Sequence, residues 1–170
     1  MFRGSVFAMA AGAFGFCCIT GIASEEVAKV GGKIPELSAP SDSGGAVSLS
    51  SYKGHSGVIL FFFPKAFTPG CTSESCGFRD QTGAYVKQGY AVLGVSRDTP
   101  ERLKAFKEKY GLNYPLLSDP DGKLALALGV APGKRQTAII ARDGTLEKVI
   151  KSVEAKTHPA TLLQDLDTKK

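Results

Sequence analysis

The chain has 170 residues, 43% hydrophobic and 22% charged, with a formal net charge of +5 and a pI near 9.0. That length predicts one domain, and that composition excludes a chain disordered throughout. The basic residues are scattered, with no run and no interleaved aromatics, which argues against a nucleic-acid-binding protein.

Residues 1–23 stand apart. Arg3 is their only charge, and Gly4 to Ala23 is uncharged and mostly apolar. Gly21-Ile22-Ala23 offers small residues at a cleavage position, followed by polar Ser24-Glu25-Glu26. The segment reads as a secretory signal peptide or, from its apolar length, an uncleaved membrane anchor. Export to the periplasm or another extracytoplasmic compartment is therefore expected, with residues 24–170 as the single folded domain. Phe16 before Cys17, and Cys17 before Cys18, disfavour lipid attachment, and the shortage of Arg and Ser disfavours an organelle transit peptide. Cleavage after Ala23 leaves 147 residues and two of the four cysteines, Cys71 and Cys76. In an exported chain such a pair is first read as a structural disulfide.

Residues 24–45 are rich in Gly, Ser and Pro and predict a loop or hairpin approach to a short strand near Ala46–Leu49. Val58–Phe63 is a continuous apolar run of strand length, the pattern of a central strand covered on both faces, and Pro64 ends it. From Cys71 to about Gln88 the residues suit a helix, with Phe78, Tyr85 and Val86 as core contacts and Gly89 as its end. Tyr90–Ser96 is the next strand. Asp98 or Thr99 caps a helix opened by Pro100 and stopped by Gly111, with Leu103, Phe106 and Tyr110 on its apolar face. Tyr114–Leu117 is a short strand and Lys123–Leu128 a short helix. Gln136–Ala141 and Thr145–Lys151 form a hairpin across Arg142-Asp143-Gly144. A helix from Thr157 to about Leu166 closes the chain. Strands separated by helices predict an α/β domain with a central mixed sheet flanked by helices.

Between the central strand and the first long helix, Pro69-Gly70 turns the chain and delivers Cys71 to the first helical turn. Amides there lack internal partners, and the helix dipole favours negative charge, so a thiol in that place is reactive.

The order of elements resembles a thioredoxin fold, and the residues are more specific than the order. Pro64-x-x-x-Thr68-x-x-Cys71 resembles the active-site signature of peroxiredoxins. The longer run from Phe63 through Thr72-x-Glu74-x-Cys76-x-Phe78-Arg79-Asp80 resembles the Q type, the bacterioferritin comigratory proteins. So do Gly94-Val95-Ser96-Arg97-Asp98, Leu116-Leu117-Ser118-Asp119 and Pro132-Gly133-Lys134-Arg135-Gln136-Thr137. The likeness runs from about Val30 to the C-terminus. It departs at Phe62, often tyrosine in relatives, and at Pro35-Glu36-Leu37, where Pro-Asp-Phe is usual.

The resemblance implies a thiol peroxidase acting on hydrogen peroxide or organic hydroperoxides. Cys71 is then the peroxidatic nucleophile, oxidised to a sulfenic acid, and Cys76 the resolving thiol. A thioredoxin-like reductant opens their disulfide, the protein is a monomer, and neither cofactor nor metal is required, since sulfur itself cycles. Thr68 is expected to bring a hydroxyl near Cys71, with an N-cap or turn as its plainer use. Pro64 and Pro69 stiffen and shield the loop. Arg135 is assigned to the thiolate and the peroxide. Arg79, eight residues or about 12 Å along the helix from Cys71, is read as a surface or interelement ion pair. Glu74 is assigned to the helix N-terminus, and His55 and His158 are read as ordinary exposed residues.

An intact helix holds Cys71 and Cys76 about 7.5 Å apart along its axis on different sides, too poorly aimed for a disulfide without local unwinding. That geometry, with the short span, disfavours a static structural bridge. A zinc site lacks two further ligands at suitable spacing, and a thioredoxin-type reductase would present C-x-x-C. The main alternative is a thioredoxin-like protein disulfide oxidoreductase, which would favour protein disulfides over peroxide; a redox-inert binding protein is the third reading.

Overall fold

The apolar run at Val58–Phe63 becomes the strand on which the sheet is built. A computed structural model describes residues 27–168, so the stretch read as signal peptide or anchor lies outside the described residues. A small antiparallel hairpin, β1 (Ser38–Pro40) and β2 (Ala46–Ser48), comes first, followed by a 3-10 turn at Leu49–Tyr52. The remaining elements are β3 (Gly57–Phe62), α1 (Pro69–Lys87), β4 (Tyr90–Ser96), α2 (Pro100–Tyr110), β5 (Leu116–Ser118), α3 (Lys123–Ala127), β6 (Gln136–Ile140), β7 (Leu146–Ile150) and α4 (His158–Asp167).

The five-stranded sheet runs β5-β4-β3-β6-β7. β3 is parallel to β4, and β4 to β5, while β6 and β7 are antiparallel additions. Successive side chains of a strand alternate in direction, so β3 serves two cores. Ile59, Phe61 and the adjoining Phe63 meet Phe78 and Tyr85 of α1, Phe106 of α2 and Leu162 of α4. Val58, Leu60 and Phe62 meet Leu124 of α3, Leu128, Ala39 and Leu49. Phe61 stacks on Phe78 with ring centroids 4.4 Å apart. That stack ties the central strand to α1, and truncating such a buried ring costs about 3–5 kcal/mol.

The helix ends follow the sequence signals. Thr99 accepts the Arg102 amide at 3.4 Å, Pro100 occupies the first turn, and Gly111 closes α2 with φ 61°. Because Thr99 is the cap, Asp98 is left free for other partners. Val86, expected in the core, is 61% exposed: one residue past the buried Tyr85, it is turned about 100° away by the helical repeat. β5 starts at Leu116 rather than Tyr114, because Pro115 has no amide to donate and the Leu116 amide is taken by Asp42 Oδ1 at 2.7 Å.

Candidate active site

At the C-terminal end of β3 the Phe63 amide still bonds to Val95 O at 2.9 Å, and the chain then leaves the sheet at exposed Pro64. A tight turn follows. Thr68 Oγ1 donates to Lys65 O at 3.1 Å, and Phe67 has φ 68°, the sole positive value outside glycine among the described residues. Thr68 stands at the N-cap position of α1 with extended backbone, and its carbonyl accepts the Thr72 amide at 2.9 Å. Its hydroxyl thus serves the turn, the plainer of its two expected uses and one compatible with the other. Pro69 fills the first helical position, where a missing N–H costs nothing.

Cys71 is the third residue of α1, a free thiol only 1% exposed. Its place in the first turn leaves the amides of Gly70 and Cys71 without intrahelical acceptors. Arg135 lies just before β6. Antiparallel pairing sets Phe62 opposite Gln136, so Arg135 falls beside Phe63, where β3 hands the chain to the Cys71 loop. From there Arg135 Nη2 reaches Cys71 Sγ at 3.2 Å. Gly70 keeps the approach open: a Cβ there would lie 3.3 Å from Arg135 Nη2.

Glu74 departs from its expected role. Its carboxylate is fully buried rather than serving an exposed helix end, and Oε2 receives Arg135 Nη1 in an ion pair. Burial pushes the carboxyl up to about 7, although Arg135 pulls it back. Its other oxygen, Oε1, has no hydrogen-bond partner. Arg135 is therefore a fork, one nitrogen on sulfur and one on carboxylate.

His158 also departs from expectation. It is 7% exposed at the start of α4, edge-on to Phe78, with Nε2 2.8 Å from Thr137 Oγ1. Burial, with the Arg135 charge nearby, pulls the imidazole down to about 4, so it is neutral near pH 7. Arg79, as expected, serves an interelement contact: it pairs with Asp80 at 2.8 Å and donates to Tyr110 O at 2.6 Å. Cys76 is a half-buried free thiol within the intact helix. Among the described residues, no group of three or more His, Cys, Asp or Glu side chains is placed to hold a metal ion.

Both missed residues carried a legible signal. Cys71, Glu74, Ser75 and Phe78 recur at helical spacing, which puts Glu74 on the buried face of α1. His158, Leu162 and Leu166 do the same on α4.

The architecture and the motif both have known counterparts. The AhpC/TSA family model matches residues 30–149. Peroxiredoxin Bcp of Bacillus subtilis is 39% identical over 149 residues, covering 81% of this chain and 94% of that protein. The crystal structure of peroxidoxin BcpB from Mycobacterium tuberculosis matches with a TM-score of 0.76 and 32% identity, over 84% of this chain and 99% of that one. A bacterioferritin comigratory protein from Xanthomonas campestris, described for its alkyl peroxide reduction activity, matches with a TM-score of 0.73 and 29% identity, over 78% and 91%. The chain thus has a thioredoxin-like fold and belongs to the AhpC/TSA family, within it to the Q-type peroxiredoxins, which are thiol-dependent peroxidases.

Proposed function

We propose that Cys71 is the peroxidatic nucleophile and Cys76 the resolving thiol. The observation that carries this reading is the Cys71 sulfur in the first turn of α1 with Arg135 Nη2 at 3.2 Å. A negative sulfur there meets a cation, the helix dipole and two free amides. It attacks the oxygen that bears hydrogen in ROOH. The O–O bond breaks, sulfur becomes the sulfenic acid, and the leaving alkoxide takes a proton to become ROH. The Cys76 sulfur then attacks the Cys71 sulfur, the S–S bond forms, and the hydroxide released is protonated to water.

Both cysteines sit in one unbroken helix, so the first turns of α1 unwind before the bond closes. Two electrons from a thioredoxin-like dithiol return the pair to thiols. The substrates are hydrogen peroxide and organic hydroperoxides, consistent with the alkyl peroxide activity described for the Xanthomonas relative. Pro64 and Thr68 shape the loop that presents Cys71, and Arg135 stabilises thiolate and peroxide. The protein works as a monomer, and residues 1–23 direct it out of the cytoplasm as signal peptide or anchor.

Intact mass of reduced protein 24–170, with one equivalent of hydrogen peroxide, tests the roles. The expected result is rapid loss of about two mass units in the parent, for one disulfide, and a gain of about sixteen in Cys76→Ser, for a sulfenic acid. Oxidation no faster than that of a free thiol sinks the proposal and leaves exchange with protein disulfides as the reading to pursue.

A further inference from the structure

The loop from Pro64 to Thr68 is gripped from outside at one residue. Ala66 is 1% exposed, and both its backbone groups are taken by side chains of the β4–α2 junction. Its N–H donates to Asp98 Oδ2 at 2.7 Å, and its carbonyl accepts from Arg102 Nη2 at 3.2 Å. The two side chains are joined to each other, Arg102 Nε to Asp98 Oδ1 at 2.9 Å. Ser96 Oγ donates to Asp98 Oδ2 at 2.9 Å and fixes the carboxylate. The Arg102 guanidinium also lies 5.0 Å above the Phe67 ring. Carboxylate and guanidinium together do for Ala66 what a neighbouring strand would, where the sheet has ended. The next residue, Phe67, is held at φ 68°, a conformation that bulky side chains avoid.

We infer that Asp98, with Arg102, is a positioning residue for the peroxide step. The clamp fixes Ala66 and Phe67 and so aims the first turn of α1, with Cys71, at the peroxide. It touches neither the sulfur nor the substrate. The inference rests on Cys71 being the nucleophile.

The clamp holds only the folded arrangement, which the Cys71–Cys76 bond requires to open. It therefore prolongs exposure of the Cys71 sulfenic acid to a second peroxide. That reaction inserts one oxygen: Cys–SOH and ROOH give Cys–SO2H and ROH. Loosening the clamp slows the first oxidation and shifts the fate of the sulfenic acid from sulfinic acid toward disulfide.

The test uses the reduced full chain, Asp98→Ala, Arg102→Gln and Arg102→Lys, with hydrogen peroxide. Stopped flow gives the rate of Cys71 oxidation, and peptide mass spectrometry gives the ratio of Cys71 sulfinic acid to Cys71–Cys76 disulfide. Asp98→Ala is expected to slow oxidation about ten- to a hundred-fold, the range for a misplaced reacting group, and to lower the ratio several-fold. Arg102→Gln is expected to move both quantities the same way by less, and Arg102→Lys to restore them in part. Arg102 is 43% exposed, so Arg102→Gln keeps the core and decides the question if Asp98→Ala does not fold. Parent-like rate and ratio in the variants overturn the inference, as does an equal slowing of both steps with the ratio unchanged. A parent that forms neither sulfenic acid nor disulfide at Cys71 overturns the nucleophile assignment, and the clamp with it.

Discussion

Arg135 holds the Cys71 sulfur at 3.2 Å with one guanidinium nitrogen and the buried Glu74 carboxylate with the other. The carboxylate fixes the plane of the fork, and the fork fixes where a cation meets the sulfur. Arg135 is less than a fifth exposed and Glu74 fully buried, so neither is free to find water instead.

This geometry makes Arg135→Lys a severe change. An ammonium is a point charge on a flexible stem and does not serve two acceptors in a fixed fork. Loss of a preorganised donor at a site of developing negative charge costs about a hundred-fold or more in rate. Stopped-flow oxidation of Cys71 is expected to slow by that order in Arg135→Lys. Arg135→Met is expected to lose stability as well, because the buried Glu74 carboxyl loses its hydrogen-bond partner, and an unsatisfied buried polar group costs about 1–3 kcal/mol. Parent-like oxidation in Arg135→Lys would show that charge suffices without the fork.

Glu74 and His158 make opposite contributions to the pH dependence of stability. Glu74 titrates at about 7 in the fold, above its ordinary 4.5, so the native state binds the extra proton between those values and stability falls as pH rises through them. His158 titrates at about 4 in the fold against an ordinary 6.5, so the unfolded state binds the extra proton and stability rises with pH across that window. Each shift corresponds to about 3 kcal/mol. Between pH 4.5 and 6.5 the two largely cancel in the parent. Urea unfolding across that range is expected to give a rising curve in Glu74→Gln and a falling one in His158→Gln. Parallel curves for all three proteins would mean that neither group titrates as its surroundings dictate.

The parts legible in the sequence were those set by local chemistry. The run Val58–Phe63, the Pro64 break, the Thr99-Pro100 start and the Gly111 stop each act through their own backbone or nearest neighbours. Arg135 was legible through the family motif, and antiparallel register explains why it arrives beside Phe63. Glu74 and His158 share helical spacing with buried neighbours, but that signal is outweighed by the default that a charged or titratable side chain lies at the surface. What buries them is tertiary: Arg135 comes to Glu74 across 61 residues, and Thr137 to His158 across 21. The clamp on Ala66 was hidden for the same reason, since Asp98 lies 32 residues away.

The α1–α4 packing rests on the absence of a side chain at Gly77. A Cβ there would lie 2.9 Å from Pro159 Cγ, and the proline ring is held by its own backbone, whose carbonyl accepts the Tyr85 hydroxyl at 2.5 Å. Gly77→Ala gains about 1 kcal/mol in helix propensity. Forcing the helices apart costs about 1–3 kcal/mol. The expected net effect is a lower urea midpoint in Gly77→Ala than in the parent, with Gly83→Ala, in open space on the same helix, moving it upward.

Unwinding of α1 has a stop built into the fold. The Tyr114 hydroxyl donates to Ser75 O at 2.8 Å within the segment that opens, and beyond it Arg79 Nη1 donates to Tyr110 O at 2.6 Å. Asn113 Nδ2 donates to Arg79 O at 3.2 Å, and its Oδ1 accepts from Thr82 Oγ1 at 2.8 Å. The Arg79 and Asn113 contacts bind the middle of the helix to the α2–β5 connection, while its first turn is held through Arg135 and, by way of the preceding loop, through the clamp on Ala66. Closing the Cys71–Cys76 bond is therefore expected to melt the helix from Pro69 to about Phe78 and to leave it intact from Arg79 onward. Amide exchange on reduced and disulfide forms is expected to lose protection in residues 71–78 and keep it in 80–87. Loss across the whole helix would show that the Arg79 and Asn113 contacts do not halt the opening. Equal protection in both forms would mean that the disulfide closes without unwinding, which the axial separation of the two cysteines makes untenable for a regular helix.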